Sequence, residues 1–262
     1  MPRLVRAMPV TALRPRSFVR VAGPDAADFL ERMVSNEVKG LHTGGSCDAL
    51  LLTPKGRVVA PLRIWRRQDD DFLLLTEPEL ATPVTAALLR ARFAAKCEIE
   101  PEEHRSLVVF GGTEGIPTED YGEPAVEVLD AALEPTLSAD ELERRRIEAG
   151  TPAWGKEIDE RVLPAEAGLT ERAVSFTKGC YPGQEPIARL HHRGHVNRRL
   201  HVLDVESAEP EDEILWNGKV VGRVTSASPG VALAYVRLEV PEGSELEING
   251  ATARLHCVPA RP

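Results

Sequence analysis

The sequence predicts an α+β protein that ends in a small antiparallel β-barrel. Two observations carry that prediction: helix and strand patterns alternate through the first two-thirds of the chain, and after Arg199 short strands follow one another at regular spacing. A chain of 262 residues is long enough for a substantial core and more than one domain. The change of period puts a boundary near residues 195–200, giving an α+β region over 1–197 and a barrel over 198–262.

Gly23-Pro24-Asp25 reads as a helix start, with Ala26, Phe29, Leu30, Met33 and Val34 following at helical spacing. Leu50 to Leu52, Thr53-Pro54-Lys55-Gly56-Arg57 and Val58 to Trp65 read as strand, turn and strand, and Phe72 to Thr76 continues the sheet. An Ala/Leu/Arg helix is predicted from about Leu80 to Lys96, and a short strand over Leu107–Phe110 is broken by Gly111-Gly112. Ser138 and Glu141 have the spacing of a capping box for a helix that runs to Ala149 and stops at Gly150. In the barrel, strands are predicted over 200–205, 219–224, 231–236, 245–248 and 253–258. Asn217-Gly218, Pro229-Gly230 and Asn249-Gly250 supply turns between them.

The formal net charge of −9 argues against bulk, sequence-independent binding of nucleic acid or an anionic membrane. The first ten residues lack the continuous apolar core of a signal peptide and no later stretch approaches a membrane span, so a cytoplasmic protein is expected. Cys47, Cys97, Cys180 and Cys257 are dispersed, with no C-x-x-C pair, so reduced thiols are the default. Cys47, Cys97 and Cys257 lie in apolar or strand-like surroundings and read as packing residues.

The stretch least explained by folding is Lys178-Gly179-Cys180-Tyr181-Pro182-Gly183-Gln184-Glu185. Gly183 and Pro186 mark a helix start after it, whose amide N–H groups would point back toward Cys180. Two readings stand on these residues alone. Cys180 is a reactive group whose ionisation Lys178 tunes, or a small buried residue beside a glycine turn. In the first reading Glu185 accepts a hydrogen bond or caps the backbone, Gln184 does either, and Tyr181 offers an aromatic face or packs in the core.

The octet resembles the K-G-C-[YF]-x-G-Q-E signature of the YgfZ-type proteins, relatives of the aminomethyltransferase (T-protein, GcvT) of the glycine cleavage system. Four further segments resemble the same family in order: Phe29–Val38, Leu52–Val58, Arg146–Asp159, and Gly222–Ala227 with Ala232–Arg237. The resemblance implies a GcvT-like folate-binding α+β region of two interleaved subdomains with a C-terminal β-barrel, arranged around a central cavity. It also implies tetrahydrofolate or a one-carbon derivative as ligand, iron–sulfur client or assembly proteins as partners, and an indirect effect on tRNA modification. A pterin asks for a carboxylate that accepts paired N–H donors, and the family's position for it falls near Glu127.

One departure bears on activity. Aminomethyltransferases carry an aspartate pair after the hairpin glycine, where this chain has Ala60 and Pro61, neither of which can accept a proton. The expected role is therefore an accessory factor for iron–sulfur proteins, with a folate-dependent one-carbon transferase on another substrate as the alternative and a folate-free thiol scaffold as a third reading. Residues 178–201 hold Lys178, Arg189, Arg193, Arg198 and Arg199 against Glu185 alone. Arg193 is assigned to an anion site at the cavity mouth, and Arg198 and Arg199 to covering the seam with the barrel. His191, His192 and His195 beside Cys180 raise a metal site, but no metal is assigned to this chain.

Overall fold

The computed structural model describes residues 9–256. The chain begins with strands β1 (Thr11–Leu13) and β2 (Ser17–Ala22), helix α1 (Ala26–Met33), and strands β3 (Ser46–Leu52), β4 (Val58–Gln68) and β5 (Asp71–Thr76). It continues through α2 (Ala81–Ala91), β6 (Glu98–Glu102), β7 (Ser106–Phe110), β8 (Ile116–Thr118), β9 (Ala125–Leu129), α3 (Ala139–Glu148), α4 (Thr170–Ala173) and α5 (Gln184–Arg193). The last six strands are β10 (Arg198–Val205), β11 (Glu213–Trp216), β12 (Lys219–Ser228), β13 (Val231–Arg237), β14 (Glu245–Ile248) and β15 (Ala251–His256).

A five-stranded antiparallel sheet has the order β3-β4-β5-β2-β6, and a four-stranded one the order β1-β7-β9-β8. Because β1 joins the sheet built from β7 to β9, the two sheets interleave along the chain. The apolar runs Leu50–Leu52 and Leu73–Leu75 do not alternate with polar residues, since both faces of the first sheet are covered. On one face, Leu51, Leu62, Ile64 and Leu74 pack beneath Phe29 and Leu30 of α1 and Val84 and Leu88 of α2. On the other, Leu50, Leu52 and Val58 meet Tyr181, Ile187 and Tyr235, while Phe18, Leu73 and Leu75 meet Ile116 of the second sheet. The Cys180 loop and the barrel are thereby held against the β3–β4 end of the sheet.

The last six strands close into a barrel of order β10-β13-β12-β11-β14-β15. Asn217-Gly218 and Asn249-Gly250 both have positive φ at their two residues (50° and 73°, 52° and 81°), the backbone of a two-residue hairpin turn. Strand β11 is absent from the sequence reading, and the final strand ends at His256 of the described residues; Cys257 and Val258, assigned to packing and to that strand, lie outside them. The helix predicted to run to Lys96 stops at Ala91, where Phe93 turns to φ 42°.

Helix α3 begins on the expected capping box, Ser138 with Glu141. Its last turn delivers Arg146 into the joint with the barrel. There the guanidinium donates to Glu157 Oε2 (2.9 Å), Glu143 Oε1 (2.7 Å), Ser226 Oγ (2.8 Å) and the Thr151 carbonyl. Ser226 Oγ donates to Glu157 Oε1 (2.6 Å), and the Tyr235 hydroxyl to the Glu157 carbonyl (2.7 Å). Glu157 is the buried carboxylate that ties α3 to the barrel. Replacing Arg146 with Met leaves that carboxylate without its cation, and urea unfolding should show a loss of about 3–5 kcal/mol.

Candidate functional site

The Cys180 loop is shaped by backbone contact. Gly183 sits at φ 83° as the N-cap of α5, and a Cβ there would lie 2.5 Å from the Thr53 carbonyl oxygen and 3.1 Å from Gly56 Cα. Gly56, in the hairpin turn at φ 72°, would place its own Cβ 3.0 Å from Pro186 Cγ. The two glycines let the hairpin and the start of α5 approach more closely than any side chain permits. Cys180 is exposed, with its thiol free, on the loop that this contact fixes.

Lys178 turns its ammonium into the protein. Its ammonium is buried, donating to the carbonyls of Val34 (2.9 Å) and Asn36 (2.6 Å) and lying 3.5 Å from Glu31 Oε1, so its three protons are committed away from Cys180. Burial pulls the Lys178 amine below its usual range, against the opposing pull of Glu31. The lysine anchors the loop to the segment after α1. Ser35 strengthens that anchor: its hydroxyl donates to the Ala173 carbonyl and accepts from Leu50 N (2.8 Å), and its carbonyl accepts from Ser175 N (2.9 Å).

The other octet residues divide. Glu185 accepts a hydrogen bond, from Arg189 Nη2 at 2.6 Å one turn along α5, and is exposed. Gln184 is half-buried in the first turn. Tyr181 is packed in the core, with the Lys178 ammonium 5.5 Å from its ring centre and its hydroxyl buried without a hydrogen-bond partner among the described residues. Burial pushes that phenol up. Arg193 lies exposed in the last turn of α5 and is not among the residues that line the cleft described below. Arg198 does cover the seam: its guanidinium lies over Tyr235 (4.5 Å) and pairs with Glu166 (3.3 Å). His191 stacks on Phe176 with ring centres 4.0 Å apart. Of the remaining cysteines, Cys97 is buried and Cys47 half-buried, and burial pushes the Cys47 thiol up to about 12.

Glu127 belongs to a second locus, an ion-paired cleft between the two sheets and α4. Its carboxylate is fully buried and receives a two-pronged contact from Arg16, Nη2 to Oε1 at 2.6 Å and Nε to Oε2 at 2.9 Å. Arg63 Nη1 (3.3 Å) and Ser106 Oγ (3.1 Å) complete the shell. Burial alone would raise this carboxyl; Arg16, Arg14 and Arg63 overcome it and hold it at about 2. Beside it, Asp120 accepts from Arg172 Nη2 (2.6 Å) and Arg14 Nη1 (2.8 Å), while Asp48 accepts from Arg172 Nη2 (2.6 Å) and Arg63 Nε (2.9 Å). Leu50, Leu169, Ile158 and Ala173 line the cleft and also belong to the apolar cluster around Tyr181, so one wall separates the cleft from the Cys180 loop. The sequence reading missed Arg14, Arg16, Asp48, Arg63, Asp120 and Arg172. The signal available was a charge inside an apolar strand run, as at Arg63 between Leu62 and Ile64.

Ala60 and Pro61 stand where the structure can use them. Ala60 is buried beneath the helices. Pro61 pairs with Leu50 of β3 at a point where β4 has left β5, so its missing N–H interrupts no ladder there, and its carbonyl accepts from Thr76 Oγ1 at 2.9 Å. The pair supplies no ionisable group to the cleft.

Residues 197–260 match the family described as CAF17, C-terminal beta-barrel domain. The human mitochondrial iron–sulfur cluster assembly factor IBA57 is 27% identical over 276 residues, covering 87% of this chain and 77% of its own. The tRNA-modifying protein YgfZ of Edwardsiella ictaluri is 28% identical over 238 residues, covering 73% of this chain and 70% of its own. In the crystal structure of glycine cleavage system aminomethyltransferase T from Bartonella henselae the same fold recurs, with a TM-score of 0.79 at 20% identity over 97% of this chain and 86% of that one. The chain thus has an aminomethyltransferase-like fold and sequence relatives among the IBA57 and YgfZ proteins.

The folded carboxyls of Glu127 and Asp120 lie below their unfolded values, so their contribution is complete above the unfolded pKa and is lost as pH falls through the folded one. Stability should hold from pH 7 to about 5 and fall steadily toward pH 2. Replacing Glu127 with Gln should flatten that fall, removing on the order of 3 kcal/mol of it, as measured by unfolding titrations at each pH.

Proposed function

We propose that this chain is an accessory protein for the assembly or repair of iron–sulfur proteins, which offers the Cys180 thiol to a partner protein. The observation that carries the reading is an exposed thiol on a loop whose flanks are fixed: Lys178 by two buried carbonyls, and Gly183 by direct backbone contact with the 53–57 hairpin. A thiolate is a ligand and nucleophile only where a partner can reach it, and a rigid loop lowers the entropy lost on docking. The likeness to IBA57 supports the partner class, and the likeness to YgfZ supports an effect on tRNA modification exerted through a client.

The small-molecule half of the proposal is tetrahydrofolate or a one-carbon derivative in the ion-paired cleft. The lining suits it: Arg14 and Arg172 for carboxylates of the tail, and Leu50, Pro61 and Leu169 for the ring faces, while Glu127, whose oxygens are held by Arg16, Arg63 and Ser106, would take the paired N–H groups of a pterin only by exchanging those partners. When bound, such a folate would carry the one-carbon unit. Arg16 and Arg63 fix the Glu127 carboxylate in place, so the chain's own contribution is orientation and charge balance. The closed cleft measures about 60 Å³, below the roughly 300 Å³ at which ligand pockets begin, so admission requires the ion pairs to part. A transferase acting as the aminomethyltransferases do is disfavoured, because Ala60 and Pro61 hold no proton.

In a strain deleted for the gene, wild-type protein should restore iron–sulfur enzyme activity and Cys180→Ala should not, with its melting temperature unchanged. Gly183→Ala should lose both, since its Cβ strikes the Thr53 carbonyl in a left-handed conformation and costs about 2 kcal/mol. Full restoration by Cys180→Ala would remove the thiol from the function. Calorimetric titration of tetrahydrofolate should give saturable binding; its absence would sink the folate half alone.

A further inference from the structure

Asp120 stands out among the carboxylates of the cleft because four guanidinium groups converge on it. Arg172 Nη2 lies 2.6 Å from Oδ1, Arg14 Nη1 2.8 Å from Oδ2, Arg63 Nη2 3.5 Å from Oδ1 and Arg16 Nη2 4.0 Å from Oδ2. Arg63 projects from the middle of β4 and Arg172 from α4, and Arg14 and Arg16 from the short link between β1 and β2. Asp120 comes instead from the loop between β8 and β9, just before Gly122 at φ 77°. The arginines are built into the fold, and the anion is carried by a loop. The nest is also reachable: the side chains of Arg172 and Asp48 are 24% and 22% exposed, and Arg14 is 15% exposed.

We propose that Asp120 is an internal anion occupying the subsite for a carboxylate-bearing ligand, which enters by displacing it from the four arginines. The identity of that ligand rests on the folate reading, whose glutamate tail supplies such carboxylates. With Asp120 withdrawn, the four guanidinium groups face Asp48, Glu127 and, 3.9 Å from Arg16, Glu77, four cations against three anions, leaving uncompensated positive charge in a mostly buried site. An incoming carboxylate restores the balance with the same charge-assisted hydrogen bonds, so one anion exchanges for another without a bare cation being stranded. The closed state lowers the apparent affinity in proportion to the fraction of molecules in which Asp120 is out.

The test is calorimetry on the full chain, using a γ-linked triglutamate as the tail alone and tetrahydrofolate triglutamate as the whole ligand. Asp120→Asn, which keeps the shape and removes the charge, should bind the triglutamate at least tenfold more tightly than wild type. Gly122→Ala retains every charge and strains the loop that delivers Asp120, so it should bind a few-fold more tightly. Equal or weaker binding by Asp120→Asn overturns the proposal. Melting curves accompany each titration; where Asp120→Asn does not fold, Gly122→Ala carries the test, and an unchanged tail affinity overturns the proposal. If the triglutamate follows these expectations and tetrahydrofolate triglutamate binds no better than the tail alone, the anion subsite stands and the folate reading falls.

Discussion

The arrangement of the α+β region depends on a single electrostatic constraint: four arginines and four carboxylates meet around one cleft, and an ion left there without a partner is costly. Removing an ion from water into a protein interior costs several kcal/mol, recovered only when opposite charges and hydrogen bonds meet it in good geometry. Glu127 meets that condition through Arg16, Arg63 and Ser106, and Asp48 by bridging Arg63 and Arg172. The β1–β2 link, β3, β4, β9 and α4 must therefore keep fixed relative positions. Interleaving of the two sheets follows from the same demand, because β1 and β2 place Arg14 and Arg16 between them.

A second constraint is steric and acts at the surface. The contact between Gly56 and Gly183 brings two backbones together with no side chain between them, and Lys178 buries its charge on carbonyls of the Val34–Asn36 segment. Both act on the ends of a short loop and leave its middle, Cys180, exposed. Chemistry that the octet offers as a group is thus divided by the fold into anchors and one presented thiol.

The barrel and most α+β strands were legible because their signals are local. Turn dipeptides such as Asn217-Gly218 demand positive φ, the capping box from Ser138 to Glu141 is a four-residue motif, and the apolar runs Leu50–Leu52 and Phe72–Leu75 are continuous. Gly183 and Pro186 likewise marked the start of α5. The ion-paired cleft was illegible because its members, from Arg14 to Arg172, come from six separate places in the chain, and nothing local tells an exposed arginine from one buried against a distant aspartate. Glu127 was found only through the family resemblance. Where the Lys178 ammonium goes was illegible for a related reason: a lysine side chain is long enough to deliver its charge to carbonyls far from its neighbours in sequence.

The cleft and the thiol loop are not independent, since they share the segment after α1. Asn36 Nδ2 donates to the Asp48 carbonyl (2.7 Å) and toward the Arg172 carbonyl (3.4 Å), so its side chain rests on two residues whose own side chains form the ion cluster. The Asn36 carbonyl accepts from Lys178, and the neighbouring Ser35 holds Leu50 of β3 and Ala173 of α4. A change of partners at Arg172 is therefore felt by α4, whose backbone is bonded through Ser35 and Asn36 to the same two-residue wall that anchors the Cys180 loop. That wall is made of hydrogen bonds to backbone carbonyls, which tolerate small shifts less well than apolar packing does, because their strength falls steeply with misalignment.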